Sequence, residues 1–201
     1  MEDRNQNLCK TGLRNYLMKN AFCLPKGMLG QVGGRLMAFD KVLPSWVLSV
    51  LKVSALDSVL EIGFGPGVGI ELASAIVKNE KVVGIDPSET MLRVAYKRNC
   101  NAIKTGRVEL HLGTANKLPF KHATFDVTFT INSIHLWSDP VNALQEVRRT
   151  LKPQGRMAIA ISRFSYASPD KFAEYLISAG FEEIQVHTHD RGTCVTGQNP
   201  K

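Results

Sequence analysis

A glycine-rich segment directly after an apolar strand constrains the fold of this chain more than any other part of its sequence. A strand is predicted over 58–62 and a helix over 68–78, and between them runs Glu61-Ile62-Gly63-Phe64-Gly65-Pro66-Gly67. Glycines in such a turn let the backbone bend sharply and approach a ligand closely. The spacing fits neither the G-x-G-x-x-G dinucleotide motif nor the G-x-x-x-x-G-K-[ST] phosphate loop. The segment therefore predicts a ligand site that cradles neither a pyrophosphate nor a triphosphate.

Strands and helices alternate along the chain after residue 45. The predicted strands lie at 58–62, 81–86, 107–112, 125–132, 156–162, 183–188 and 193–196. The predicted helices lie at 46–56, 68–78, 88–99, 140–151 and 169–179, with Ser88 as an N-cap and Gly180 as a stop. The strands are continuous apolar runs, which are typical of a parallel sheet covered on both faces. Because no helix separates the last two strands, we expect a doubly wound, mostly parallel α/β sheet with an antiparallel last strand.

Length and composition indicate one domain with an additional amino-terminal segment. The chain has 201 residues, of which 44% are hydrophobic and 21% charged, as in ordinary globular proteins. Residues 1–45 interleave aromatic residues and methionines with glycines and Pro25, an order that favours broken helical pieces. We expect a cap or lid over residues 1–45, with a tail that is disordered or serves only packing as the alternative. The α/β domain is expected over 46–201.

The cysteines and the amino terminus indicate a cellular compartment. The four cysteines, at positions 9, 23, 100 and 194, form no C-x-x-C pair and have no histidine at zinc-finger spacing. The charged start of the chain lacks the apolar region of a secretory signal. The longest apolar stretch, near 42–53, is shorter than the roughly 20 residues of a membrane span. We therefore expect a cytoplasmic protein without structural zinc.

A carboxylate at the end of the second predicted strand gives a further signal for a ligand. Asp86 stands 19 positions after Gly67, and an acidic residue at this place accepts hydrogen bonds from ribose hydroxyls in related nucleotide folds. The same charge would repel a 2′-phosphate. The glycine turn and Asp86 together favour a nucleoside without phosphates, while a role for Asp86 in helix capping alone is the alternative.

Four segments, in this order, resemble the class I S-adenosylmethionine-dependent methyltransferases, including their small-molecule and quinone-biosynthesis C-methyltransferase subgroup. The segments are Val59-Leu60-Glu61-Ile62 with the glycines that follow, Gly84-Ile85-Asp86-Pro87-Ser88, Leu118-Pro119-Phe120 with Phe125-Asp126-Val127, and Leu144-x-Glu146-Val147-x-Arg149-x-Leu151-Lys152-Pro153-x-Gly155. The resemblance covers about residues 46–188. It implies a Rossmann-like sheet of seven strands in the order 3-2-1-4-5-7-6. It also implies an enzyme that uses S-adenosylmethionine and releases S-adenosylhomocysteine.

The resemblance implies roles for individual residues in cofactor binding. Gly63, Gly65 and Gly67 would surround the methionine part of the cofactor. Glu61 would face its ammonium group, and Asp86 would bind its ribose. Further contacts with the ribose and adenine, and backbone that closes the site, are implied for Pro87, Ser88, Met91, Ile131 and Asn132. Core packing is the alternative for the methionine in this set.

The sequence departs from the family pattern at the adenine end. The family usually has an aspartate that accepts a hydrogen bond from the adenine amino group, and here Thr114 stands in its place, followed by Ala115. A threonine hydroxyl can still accept this bond but carries no charge. We therefore expect a contact about 1 kcal/mol weaker than the charged one.

The segment after the fourth predicted strand supplies candidates for the methyl-acceptor side. His135 is the candidate general base, because a free histidine titrates near pH 6.5 and open α/β sheets bind ligands past their strand ends. Trp137 is a candidate wall of the acceptor pocket, and simple packing is the alternative for both residues. Tyr16 and Arg35, from the cap, are further candidates for the pocket. Residues 130–133 lack the motifs of base-amine and metal-dependent catechol methyltransferases, so no metal is expected.

The net charge of +7 leaves the partner open. The basic side chains form two clusters, one of Arg93, Lys97, Arg98, Lys104 and Arg107, the other of Arg148, Arg149, Lys152, Arg156 and Arg163. Aromatic residues are only 7% of the chain, too few near these clusters to supply the stacking of a nucleic-acid groove. We expect an anionic or aromatic small-molecule acceptor. The alternatives are an RNA or protein methyltransferase and a non-catalytic cofactor-binding regulator; peripheral membrane contact and the oligomeric state stay open.

Overall fold

The secondary structure follows the alternation that the sequence predicts. A computed structural model describes residues 41–163 and 168–201. The elements are α1 (Val42–Val50), β1 (Val59–Ile62), α2 (Val68–Ile76), β2 (Val82–Asp86), α3 (Glu89–Arg98), α4 (Cys100–Lys104), β3 (Val108–Leu112), β4 (Phe125–Ile131), α5 (Pro140–Thr150), β5 (Leu151–Ser162), α6 (Pro169–Ser178), β6 (Glu182–His189) and β7 (Gly192–Gln198). A 3₁₀ turn, Ile134–Leu136, lies between β4 and α5.

Seven strands form one sheet in the order β3-β2-β1-β4-β5-β7-β6, which confirms the order that the resemblance implies. Strands β1 to β5 are parallel, and β7 runs antiparallel to both β5 and β6. β7 reverses direction because only Asp190 and Arg191 join it to β6, and so short a loop can close only an antiparallel hairpin. The chain order reverses between β1 and β4, which is the place where open α/β sheets bind ligands.

Helices cover both faces of the sheet. Val59 packs in an apolar cluster with residues of α1, α2 and α3, whereas its neighbour Leu60 packs in a second cluster with residues of α5 and α6. Neighbouring residues of a strand point to opposite faces. Every residue of β1 and β2 is therefore buried. This double burial explains the continuous apolar runs in the sequence.

Most elements differ from the predicted bounds by a few residues, and the clearest departures are α1, α4 and β5. α1 starts at Val42, inside the segment assigned to the cap, and ends at Val50, because Lys52 adopts a positive φ of 50° that a helix cannot continue. α4 was not predicted. β5 begins at Leu151, which pairs with Phe125 of β4 before the register shifts. The predicted continuation of α1 over residues 51–56 is irregular, with turns at 51–52 and 55–56.

Among residues 41–163 and 168–201, no helix has the length and apolar character needed to cross a membrane.

Two buried threonines on β4 differ in whether their hydroxyl groups have a hydrogen-bond partner. Thr128 and Thr130 are both 0% exposed. Within the described residues the Thr128 hydroxyl has no hydrogen-bond partner, whereas the Thr130 hydroxyl bonds to that of Ser133. An unpaired buried hydroxyl costs about 1–3 kcal/mol. We expect Thr128→Val to raise the free energy of unfolding by about 1 kcal/mol and Thr130→Val to lower it by about as much. Urea unfolding measures both, and changes of the same sign would contradict the assignment.

Candidate functional site

The glycine turn after β1 adopts a left-handed backbone that favours glycine at all three positions, and the space around it excludes a Cβ atom at two of them. Gly63, Gly65 and Gly67 have φ values of 74°, 50° and 78°. A Cβ atom at Gly63 would lie 2.4 Å from the Ser133 hydroxyl oxygen, and one at Gly67 would lie 2.7 Å from the Ala95 methyl carbon. A Cβ atom at Gly65 would meet no atom of the described chain within 4 Å. The turn is therefore packed on two sides and open at its middle glycine.

Two residues at the carboxyl-terminal end of α3 form hydrogen bonds with the backbone of this turn. The Nε atom of Arg98 donates to the carbonyl oxygen of Pro66 at 3.0 Å, and its Nη1 atom donates to Glu71 of α2 at 2.8 Å. The buried Asn99 donates to the carbonyl oxygen of Gly67 at 3.1 Å. Sequence reasoning missed Arg98 and Asn99 as parts of the site, because no local pattern marks a contact across 32 positions.

Glu61 is a buried carboxylate that lies against the first turn of α2. It is 3% exposed, and a Cβ atom at Gly69 would lie 2.4 Å from its Oε1 atom. The backbone N–H of Ile70 donates to this carboxylate. Burial, and after it the neighbouring charge of Asp86, raise the pKa of Glu61 well above its ordinary value. Its Oε2 atom has no hydrogen-bond partner among the described residues, so it is available to a cationic group of a ligand.

Asp86 lies at the end of β2 with both carboxylate oxygens oriented by the backbone. Oδ2 accepts from the N–H of Gly65 at 2.9 Å, and Oδ1 accepts from the N–H of Ser88 at 2.8 Å. Burial raises the pKa of Asp86, although these two hydrogen bonds oppose the rise. Each oxygen keeps a lone pair for another donor. The N-cap of α3 is Ser88, whose hydroxyl accepts from the N–H of Met91, as predicted.

The end of β4 closes the site on the other side of β1. Ile131 is the last residue of β4, and Asn132, at a φ of 53°, accepts a bond from the N–H of Ser162 at 2.8 Å. The hydroxyl of Ser133 donates to the carbonyl oxygen of Ile62 at 3.1 Å. Ser133 thus joins the ends of β1 and β4, a role that sequence reasoning missed.

The adenine-end candidates lie on both sides of Asp86. The N–H of Gly113 donates to the backbone carbonyl oxygen of Asp86 at 3.1 Å, so the segment with Thr114 and Ala115 begins beside the end of β2. Thr114 is exposed, whereas Ala115 is buried. On the other side, Pro87 is exposed, Ser88 is half-buried, and the side chain of Met91 is buried in the apolar cluster of α1, α2 and α3.

The acceptor-side candidates are only partly within the described chain. His135 lies in the 3₁₀ turn two residues after Ser133 and is exposed, yet the surrounding protein removes enough water to lower the pKa of its imidazole. Trp137 is partly buried against the apolar cluster of α5 and α6. Tyr16 and Arg35 lie outside the described residues, as does the cap segment up to residue 40.

Comparison with known proteins identifies the family to which this chain belongs. A family model described as "Methyltransferase domain" matches residues 60–159. A Bacillus subtilis (strain 168) protein named "Uncharacterized methyltransferase YdaC" is 31% identical in an alignment of 182 positions that covers 84% of this chain and 98% of the relative. The chain belongs to this methyltransferase family. With its seven-stranded order, it is a class I S-adenosylmethionine-dependent methyltransferase, as the resemblance implied.

Two further comparisons extend this result. The 27-O-demethylrifamycin SV methyltransferase of Amycolatopsis mediterranei (strain S699) is 33% identical over 111 residues, 55% of this chain and 40% of the relative. The crystal structure of an S-adenosylmethionine-dependent methyltransferase from Aquifex aeolicus superposes with a TM-score of 0.71 at 24% identity, over 84% of this chain and 98% of that one. The second comparison shows that the fold is shared.

The residues of this methyltransferase fit the cofactor. S-adenosylmethionine supplies a methyl group on a sulfonium, which makes the methyl carbon electrophilic. The unpaired Oε2 atom of Glu61 would accept from the cofactor ammonium. Asp86 would accept from the ribose hydroxyls with its remaining lone pairs. The open face at Gly65 leaves room for the chain that joins these two groups.

Because Glu61 is buried, the stability of the free protein and its affinity for the cofactor are expected to change with pH in opposite directions. Protonation favours the folded free protein, so this stabilising contribution is present below pH 4.5 and is lost as the pH rises through the raised pKa of Glu61. Binding of the ammonium needs the deprotonated carboxylate. We therefore expect the affinity for S-adenosylhomocysteine to increase as the pH rises through that pKa and then to level off. Calorimetric titrations between about pH 5 and about pH 8 measure this change.

Two variants serve as controls for this pH effect. Glu61→Gln removes the buried charge, so we expect weaker binding, a shallower pH profile that Asp86 alone still shapes, and a higher melting temperature for the free protein near pH 8. Glu109→Gln changes an exposed carboxylate that pairs with Lys81, and it is expected to keep the profile of the unaltered chain. An affinity that Glu61→Gln leaves unchanged at every pH would rule out the role of Glu61.

Proposed function

We propose that this methyltransferase acts on a small-molecule acceptor. The similarity to an enzyme named for the methylation of a rifamycin, over 55% of this chain, carries the proposal. Methyl transfer from an activated donor is an in-line displacement, for which positioning and exclusion of water supply most of the rate. A single α/β domain with an amino-terminal segment is sufficient for such a reaction.

The basic side chains support a small molecule over a nucleic acid. Many members of the two predicted basic clusters bind groups of the protein itself. They are Arg98, Arg107, Arg148, Arg149, Lys152 and Arg156, which bond to backbone carbonyl oxygens, amide oxygens or carboxylates. Cations committed in this way are less available to phosphates, and a nucleic-acid groove depends on such contacts.

His135 is the proposed general base for acceptors that must lose a proton. Its lowered pKa keeps the imidazole neutral at pH 7, which is the form that can accept a proton. It would take the proton of an acceptor hydroxyl, amine or acidic carbon as the bond to the methyl group forms. Trp137, two residues further on, would provide an apolar wall for the acceptor.

Recognition of the acceptor is proposed for residues 1–45. Arg35 would pair with an anionic group of the acceptor, and Tyr16 would pack against its ring or donate to a polar atom. We expect Arg35→Ala to raise the KM for the acceptor and to leave cofactor binding unchanged. This split separates acceptor recognition from cofactor binding.

The test is the release of S-adenosylhomocysteine from S-adenosylmethionine with a panel of phenols, quinols and amines, followed by mass spectrometry. We expect turnover with at least one small acceptor. For that acceptor, His135→Ala is expected to lower kcat by about 100-fold to 10,000-fold while the Kd for S-adenosylhomocysteine stays the same. Turnover only with RNA or protein would contradict the proposal. Cofactor binding without turnover on any acceptor would favour a regulator.

A further inference from the structure

The connection between β3 and β4 differs from its neighbours in the sheet. Residues 113–124, all within the described chain, contain no helix, whereas helices occupy the connections from β1 to β2, from β2 to β3 and from β4 to β5. Ala115 and Leu118 are buried in the apolar cluster with α5 and α6. Apolar burial alone leaves the backbone polar groups of such a loop without partners.

Two side chains of α5 supply these partners. Arg149 donates from Nη1 to the carbonyl oxygen of Phe120 at 2.8 Å and from Nη2 to that of Leu118 at 3.0 Å. Glu146 accepts from the N–H of Leu118 at 3.2 Å. The two side chains also bind each other through two bonds of 2.9 Å, from Nε to Oε1 and from Nη2 to Oε2. A bidentate pair therefore fixes both polar groups of Leu118.

The contact between Glu146 and Arg149 stabilises the charged form of both side chains and fixes their orientation. The guanidinium of Arg149 lowers the pKa of Glu146, and the carboxylate in turn raises the pKa of Arg149. The two side chains are only 26% and 23% exposed, so water competes weakly for their bonds. Charge-assisted bonds in a fork geometry also fix direction, which a single neutral bond does not.

The loop that this pair holds begins at the candidate nucleoside site. Its first residue, Gly113, bonds to the backbone of Asp86 at 3.1 Å, and Thr114 and Ala115 follow. Leu118 is three residues beyond Ala115, so the pair fixes the far end of this short segment. A segment that is already ordered costs less conformational entropy when a ligand binds to it.

We propose that Glu146 and Arg149 are positioning residues for the cofactor: by holding the backbone of Leu118 and Phe120, they place Thr114 and Ala115 against the adenine. This inference rests on the proposed placement of the nucleoside beside Asp86. Neither side chain touches the cofactor in this account. Their effect reaches the ligand only through the loop.

Arg148 offers a matched control on the same helix. It also donates to backbone and amide oxygens, at 2.9 Å to the carbonyl oxygen of Ala179 and at 3.2 Å to Asn199. These partners follow α6 and β7, away from the 113–124 loop. Arg148→Lys and Arg149→Lys therefore change the same chemistry at adjacent positions, but only the second loosens the loop.

The experiment measures the Kd of the full chain for S-adenosylhomocysteine and for 5′-methylthioadenosine, which has the nucleoside but no ammonium. We expect Arg149→Lys and Glu146→Gln to weaken both ligands about 10-fold, and Arg148→Lys to leave both unchanged although it also lowers the melting temperature. Glu61→Gln, in contrast, should weaken S-adenosylhomocysteine alone. Weaker binding of both ligands in Arg149→Lys, but of S-adenosylhomocysteine alone in Glu61→Gln, would assign the effect of Arg149 to the adenine end. A general loss of stability would not distinguish Arg149→Lys from Arg148→Lys.

A reversed pair separates the loop contacts from the ion pair. The double variant Glu146→Arg/Arg149→Glu keeps opposite charges on α5, but a glutamate at 149 cannot donate to the carbonyl oxygens of Leu118 and Phe120. We expect the weakened binding to persist in it. Full affinity in the reversed pair, or equal Kd values for Arg148→Lys and Arg149→Lys, would overturn the inference. Failure of the unaltered, folded chain to bind either ligand would overturn the cofactor placement itself and the inference with it.

Discussion

Replacement of Asp86 by alanine is expected to weaken the binding of S-adenosylhomocysteine by about 100-fold, which corresponds to about 2.7 kcal/mol. The carboxylate is 6% exposed, and backbone N–H groups already orient both of its oxygens. Ribose hydroxyls that meet an oriented, partly desolvated carboxylate form charge-assisted bonds, whose combined loss is expected to cost about 1.5–3 kcal/mol. Alanine removes these bonds. It also releases Gly65, whose N–H depends on Asp86, and so loosens the glycine turn.

Calorimetric titration checks this expectation, and Asp139→Ala is its control. Asp139 caps α5 by accepting from the N–H of Asn142 at 3.1 Å, so it resembles Asp86 in bonding to the backbone at a helix start. We expect Asp139→Ala to cost about 1 kcal/mol of stability and to leave the Kd unchanged. An unchanged Kd in Asp86→Ala would refute the assignment of the ribose to this carboxylate.

Replacement of Gly63 by alanine is expected to lower the free energy of unfolding by about 2–4 kcal/mol and to abolish measurable cofactor binding. Two costs add at this position. A φ of 74° is unfavourable for any residue with a Cβ atom, by about 1–2 kcal/mol. The new Cβ atom would also lie 2.4 Å from the hydroxyl oxygen of Ser133, which itself holds the end of β1. Relief of this contact requires β1 and β4 to move apart at the site.

Gly106→Ala separates the two costs. Gly106 has nearly the same φ, 73°, but a Cβ atom there would meet no atom of the described chain within 4 Å. We expect this variant to lose about 1–2 kcal/mol, the backbone cost alone, and to bind S-adenosylhomocysteine normally. Urea unfolding of both variants gives the comparison. Equal losses of stability would show that Ser133 does not restrict the space at Gly63.

The fold could be predicted because its pattern is local. The residues of β1 and β2 are apolar in succession apart from the site residues Glu61 and Asp86, since helices cover both faces, and the glycine turn marks where a strand gives way to a helix. The strand order came from the resemblance, and the sheet confirms it. The end of α1 was not predictable, because a positive φ at Lys52 leaves no mark in the hydrophobic pattern.

The contacts that support the site could not be predicted, because they join residues far apart in sequence. Ser133 bonds to Ile62 across 71 positions, and Arg149 bonds to Leu118 across 31. No periodicity in the sequence links such residues, although serine and arginine side chains are evident hydrogen-bond donors. Gly69 is different. It continues the every-second-residue series of Gly63, Gly65 and Gly67, so the sequence marks the position, although the contact with Glu61 that excludes a Cβ atom there is visible only in the structure.

The most direct test of the cofactor site is a crystal structure of the full chain with S-adenosylhomocysteine. We expect the ribose hydroxyls to lie within hydrogen-bond distance of Asp86, at about 2.5–3.0 Å, and the ligand ammonium to lie at a similar distance from Oε2 of Glu61. The chain that joins them should pass over Gly65. A ligand bound elsewhere on the sheet, or a ribose that faces away from Asp86, would contradict the account.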